Sequence, residues 1–152
     1  MHVHRLRTRI MIAAVILLLA APLALSAQQR GGIGLGIMVG EPTGISAISW
    51  VGGGNALDFV AAWAFREAGS FYLHVDYQFH GFVDNPMTLF GGLGGFILLQ
   101  DNPALGARVP LGISFLFREV PMDFFLEVAP GMALFPETGF FMGGGIGIRF
   151  YF

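Results

Sequence analysis

From residue 32 to the end of the chain, apolar side chains recur at every second position. In the stretch 56–66, Leu57, Phe59, Ala61, Trp63 and Phe65 share one parity. Asp58, Val60, Ala62, Ala64 and Arg66 share the other. In 70–80, Phe71, Leu73, Val75, Tyr77 and Phe79 alternate with Tyr72, His74, Asp76, Gln78 and His80. In 104–117, Leu105, Ala107, Val109, Leu111, Ile113, Phe115 and Phe117 alternate with smaller or polar residues, among them Arg108. A period of two is the mark of a β-strand, because successive side chains of a strand point to opposite faces.

Turn chemistry cuts this pattern into pieces. Glu41-Pro42-Thr43, Gly52-Gly53-Gly54-Asn55, Glu67-Ala68-Gly69, Asp84-Asn85-Pro86, Asp101-Asn102-Pro103, Glu119-Val120-Pro121 and Pro136-Glu137-Thr138 all use residues that set turn dihedrals or end strands. Seven turns separate eight segments: 32–40, 43–51, 56–66, 70–80, 87–100, 104–117, 122–134 and 139–152. Their lengths suit strands tilted across a bilayer, which need about 9–11 residues. An even count suits a closed barrel. The fifth segment, with Gly91, Gly92, Gly94 and Gly95, does not reveal which parity faces which way.

The two parities differ in charge. The apolar parity carries none in any segment whose phase is legible. The other holds Asp58, Arg66, Asp76, Arg108, Arg118, Asp123, Glu127 and Arg149. The remaining acids fall in turns. A charge facing lipid costs roughly 2–4 kcal/mol near the midplane for Arg or Lys, so inverting the register would cost on the order of 10 kcal/mol or more. The apolar parity is therefore expected to face lipid and the charged parity a narrow lumen. Lipid cannot satisfy a free strand edge, so the sheet must close. The expected fold is all-β: an eight-stranded antiparallel up-and-down transmembrane β-barrel. Small residues such as Gly32, Gly34, Gly36, Gly143, Gly145 and Gly147 would leave room inside for long polar side chains. Four acids and four arginines would pair there as a structural network, with Arg118 and Asp123 paired across one turn.

Composition supports this reading. Hydrophobic residues make up 55% and charged residues 12% of the 152, with 23 glycines and 16 phenylalanines. Soluble domains carry about 25% charged residues. Outside the N-terminus no apolar run reaches the roughly 20 residues of a spanning helix, and glycines interrupt each candidate. Cysteine is absent, which removes disulfides and thiolate metal sites.

The first residues, MHVHRLRTR, are basic. Residues 10–25 are apolar, and small residues follow at Ala24, Ser26 and Ala27. That is the order of a cleavable secretory signal, assigned to 1–27, with the barrel over 28–152. Three of the eight basic residues (Arg5, Arg7 and Arg9) lie in this leader, so the remainder carries five arginines against ten acids. Such a balance gives no support to nucleic-acid binding.

Aromatic residues are expected in girdles at the two membrane interfaces. Phe65, Phe71 and Phe140 would mark the outer rim. Tyr77, Phe79, Phe90, Phe115, Phe117, Phe124, Phe150 and Phe152 would mark the inner one. The chain ends Gly-Ile-Gly-Ile-Arg-Phe-Tyr-Phe, with Ile146, Ile148, Phe150 and Phe152 alternating back from a terminal Phe. This resembles the terminal strand by which outer-membrane barrels are recognised by their assembly machinery. With the leader and the eight segments, residues 31–152 resemble the small outer-membrane barrels of the OmpA transmembrane-domain and OmpX type. The resemblance implies a Gram-negative outer membrane, lipid and the assembly machinery as partners, and a monomer. The very short expected outer loops (41–43, 67–69, 101–103 and 135–138) depart from adhesins of that type.

No motif carries chemistry strongly. His74 and His80 lie about 20 Å apart along a strand. His74 and Asp76 alone make two metal ligands, which is no site. Ser114, His74, Asp58 and Asp76 are available for a lipid-modifying enzyme, but all four would face the lumen, away from a lipid substrate. Gly31-Gly32-Ile33-Gly34-Leu35-Gly36 lacks the Lys and helix of a phosphate loop. The expectation is a non-enzymatic barrel without cofactor or metal, serving a structural or membrane-integrity role. The alternatives are a narrow pore or small-solute-binding barrel, then a lipid A-modifying enzyme. A soluble barrel would need the reverse polarity, apolar inside and polar outside.

Overall fold

The computed structural model describes residues 32–64, 69–84 and 86–152. The leader, Arg30, Phe65 and Arg66 lie outside the described residues. Nine strands follow one another: β1 (Ile33–Glu41), β2 (Gly44–Gly52), β3 (Asn55–Ala64), β4 (Ser70–Asp84), β5 (Met87–Leu99), β6 (Ala104–Arg108), β7 (Leu111–Leu116), β8 (Met122–Phe135) and β9 (Gly139–Tyr151). Every paired neighbour is antiparallel, and β9 pairs with β1. The sheet thus closes in a ring of hydrogen bonds, consistent with a β-barrel.

The count of nine against an expected eight has one cause. The sixth segment breaks at Val109-Pro110, and its halves β6 and β7 occupy a single place between β5 and β8. Proline has no N–H for the ladder. Pro130 on β8 lies beside the same break, so two ladder donors are missing near one point. The ring stays joined there because Val109 donates to the Pro130 carbonyl and Gly92 to the Pro110 carbonyl, each at 2.9 Å. At the β2–β3 turn, Gly53 (φ 64°) and Gly54 (φ 80°) adopt left-handed dihedrals that side chains resist, which permits a two-residue reversal.

One parity of each strand is exposed and apolar: Ile33, Leu35, Ile37 and Val39 on β1, Leu73, Val75, Tyr77 and Phe79 on β4, Phe124, Leu126 and Val128 on β8. The opposite parity holds the buried residues, among them Met38, Val60, His74, Asp76, Gln78 and Phe125. The structure also sets the phase of β5. Met87, Leu89, Leu93, Ile97 and Leu99 are exposed, while Thr88 and Phe90 are buried.

The interior departs from the expected small-or-polar filling. Met38, Val60, Ala62, Phe90 and Phe125 form a buried apolar cluster. Phe90 therefore leaves the aromatic rim assigned to it. The glycines make room for rings as well as for polar chains. Phe90 faces Gly112, Phe96 faces Gly106, Phe125 faces Gly147 and Phe141 faces Gly131 across the ladder. At each of these glycines an added Cβ would overlap the partner's ring. At Gly147 it would also lie 2.6 Å from the Ile37 carbonyl oxygen, on backbone that cannot yield. Gly147→Ala is expected to destabilise the fold by about 1–3 kcal/mol, the usual cost of overpacking. A denaturant midpoint equal to that of the parent chain would contradict this packing.

Candidate functional site

Strand register brings the inward charges together. Asp58 on β3 and Asp76 on β4 are direct cross-strand partners. Asp76 is level with Gly94 on β5, and Gly94 with Arg108 on β6. A Cβ at Gly94 would collide with the Asp76 carboxylate. The gap left by this glycine lets Arg108 approach Asp76 across an intervening strand. On the other side, Asp123 on β8 pairs with Arg149 on β9.

Two arginines organise the cluster. Arg149 donates through Nη1 to Asp58 Oδ1 at 2.5 Å, and through Nε and Nη2 to the two Asp123 oxygens at 3.2 and 3.3 Å. Its guanidinium carbon also lies 4.1 Å from the centre of the Phe125 ring, a cation–π contact. Tyr151 Oη donates to Asp123 Oδ2 at 2.6 Å. Arg108 donates to Glu127 through Nη2, with Nε 3.2 Å from Asp76 Oδ2. Its Nη1 lies 2.7 Å from His74 Nδ1 and 3.4 Å from Tyr72 Oη.

His74 joins the two halves. Its Nε2 sits 3.5 Å from Asp58 Oδ2 and 3.6 Å from Asp76 Oδ2. Arg108 is always a donor, so Nδ1 must accept, and the proton of the neutral ring then resides on Nε2. The charged groups and His74 are nearly sealed from solvent, with Asp76 0%, Arg108 and Arg149 1% and His74 2% exposed, while Tyr72 and Tyr151 are half-buried. Among the described residues, four buried carboxylates (Asp58, Asp76, Asp123 and Glu127) face two buried guanidiniums.

Ring pairs lie on either side of the cluster. Toward the start of β1 and the finish of β9, the His80 ring lies 4.6 Å from Trp50 and 5.3 Å from Phe90. Toward the opposite end, Phe96 lies 5.7 Å from Tyr72 and 4.7 Å from Phe141.

Of the sequence-predicted network, the structure brings together Asp58, Asp76, Arg108, Asp123, Glu127 and Arg149. Arg118 is a correction: it is exposed in the turn after β7, because the strand ends at Leu116 and its parity no longer binds. The Asp123 oxygens accept from Arg149 and Tyr151. Arg66 lies outside the described residues. Ile146, Phe150 and Phe152 are exposed and Ile148 is half-buried. Phe152 donates its N–H to the Ile33 carbonyl at 3.0 Å, just past the end of β9.

Sequence reasoning missed Tyr72, Tyr151 and the bridging place of His74. The shared parity of His74 and Asp76 was the available signal. What it lacked was the β3–β4 register that supplies Asp58. These three residues offer donor atoms within 4.8 Å of one another. The ring nitrogens of His74 face Arg108, Asp58 and Asp76, and Ser114 is not among the groups in contact with them. Comparison with protein-family models, with curated proteins and with solved structures finds no match to this chain.

Proposed function

We propose that this chain is a small integral outer-membrane β-barrel of a Gram-negative-type bacterium, exported by a signal cleaved from residues 1–27. Its role is structural, maintaining membrane integrity. The observation that carries the reading is inverted polarity: large apolar side chains are exposed along the strands, and Asp58, Asp76, Arg108, Asp123, Glu127 and Arg149, the charges within the strands, are buried. Water would penalise that exterior, since the largest apolar patch of an ordinary monomer is about 300–600 Å². Lipid favours it, and a closed ring leaves no strand edge to be satisfied there.

In this reading lipid is the partner on every side, and the barrel is a monomer. Ile146, Ile148, Phe150 and Phe152 present the terminal strand to the assembly machinery. The interior is a plug, since its arginines and acids fill the space between two sets of rings. No catalysis and no nucleic-acid partner are assigned.

Cell fractionation with gel migration before and after boiling tests the location. The expected result is a membrane-bound protein that migrates faster unheated. Recovery in the soluble fraction, or one mobility under both conditions, would reject the proposal. Planar-bilayer recording tests the plug: no steady conductance steps are expected. Reproducible single-channel steps would replace the plugged barrel by a narrow pore. An altered lipid A mass profile in cells making the protein would replace it by an enzyme.

A further inference from the structure

We infer that the interior holds a binding site for one divalent metal ion, of the class that takes nitrogen and carboxylate donors, formed by His74 Nε2, Asp58 Oδ2 and Asp76 Oδ2. Three observations converge on it. The separations are the first. At 3.5 and 3.6 Å, Nε2 is too far from the two oxygens for good hydrogen bonds. Two ligands held about 2.0 Å from a tetrahedral ion stand about 3.3 Å apart, close to the two separations from His74 Nε2, and the three donors together lie within 4.8 Å of one another.

The second is unmet bonding capacity. Among the described residues, neither oxygen of Asp76 accepts a hydrogen bond and His74 Nε2 makes none, although all are buried. Oδ2 of Asp76 keeps only ion-pair distances to Arg108 and His74. Deep burial without partners is costly for a carboxylate, which makes this arrangement a ready acceptor for a cation.

The third is charge. Four buried carboxylates against two guanidiniums leave a surplus of two negative charges among the described residues. One divalent ion cancels it. Two bound protons would also cancel it, and the experiment separates these two.

As the residues stand, Arg108 donates to His74 Nδ1, which leaves the ring proton on Nε2. On binding, that proton moves to Nδ1 and the ion takes the Nε2 lone pair, with no net change in protons. Arg108 Nη1 then turns to Tyr72 Oη, already 3.4 Å away. Arg108 keeps Glu127 on its other nitrogen. The inference does not depend on the membrane assignment, since it rests on the interior alone.

The three donor residues are buried, so the ion is supplied while the chain folds. The untagged full chain is refolded in detergent with Zn2+, or with Co2+ in parallel, then freed of loose metal. The expected result is one tightly held ion per chain and, with Co2+, the visible bands of a tetrahedral site. Asp76→Asn and His74→Gln should each weaken binding by more than the roughly 10–100-fold that loss of an orienting partner costs. His80→Gln should leave it unchanged. Boiling-dependent gel mobility confirms which variants fold, and either folded variant suffices. No retained ion in the folded parent chain, or retention equal to the parent in a folded Asp76→Asn or His74→Gln chain, would overturn the site.

Discussion

Arg149→Leu is expected to lower the free energy of unfolding by about 3–5 kcal/mol, the typical cost of removing one partner from a buried charged pair. Leucine keeps apolar bulk but donates nothing. Asp58 loses the guanidinium 2.5 Å away, and both Asp123 oxygens lose theirs. Phe125 loses the cation stacked on its ring. Both carboxylates would then remain buried without the Arg149 guanidinium, and Asp123 would keep the Tyr151 hydroxyl. The measurement is a denaturant titration of the chain refolded in detergent or vesicles, with boiling-dependent gel mobility as a check on closure. Adding Asp58→Asn to Arg149→Leu should recover part of the loss, because residues in one network are not additive. An unchanged midpoint for Arg149→Leu would mean that the network contributes nothing to the fold.

Leu93→Arg probes the outside of the ring. Leu93 stands at the middle of β5 and is 63% exposed, on the apolar parity. In a bilayer an arginine at mid-depth on the lipid face costs roughly 2–4 kcal/mol, and the cost falls toward the interfaces. In water the same substitution on an exposed position usually changes stability by less than about 0.5 kcal/mol. The expected result is the larger loss when unfolding is measured in lipid vesicles. Asp101→Arg, in the exposed turn between β5 and β6, serves as the comparison and should change little. Equal and negligible effects at both positions would argue that residue 93 faces water, and the membrane reading would fall. The two substitutions interrogate opposite faces, so their outcomes are independent. Arg149→Leu can succeed in a soluble ring, whereas Leu93→Arg cannot.

The local pattern reached far because strands are short-range objects. Alternation at 57–65 and 71–79, and turns such as Gly52-Gly53-Gly54-Asn55, are properties of neighbouring residues. They anticipated strand bounds to within a few residues in most places, as in 43–51 against Gly44–Gly52. Parity likewise identified six of the charges that prove to be buried, since one side of a strand either meets the interior or does not. Where the local signal was cut, the reading failed. Arg118 kept its parity on paper, but the strand ends two residues earlier, after which side-chain direction is no longer tied to the sheet. Pro110 interrupts the sixth strand for the related reason that a missing N–H outweighs a favourable apolar rhythm.

What the residues determined unaided was strand character, the turn positions, and a division of side chains into a neutral apolar parity and a charged one. Those follow from a period of two and from the unequal cost of placing charge and hydrocarbon in the same surroundings. What only the closed tertiary structure decided was company. Asp58 stands opposite Asp76, Arg149 lies between acids of β3 and β8, and His74 spans the two halves. Four phenylalanines lie on four glycines. Each of these depends on the register between strands, which a single strand cannot specify, and on the ring that brings β9 beside β1. Partners up to 91 positions apart in the chain meet only when the last strand joins the first.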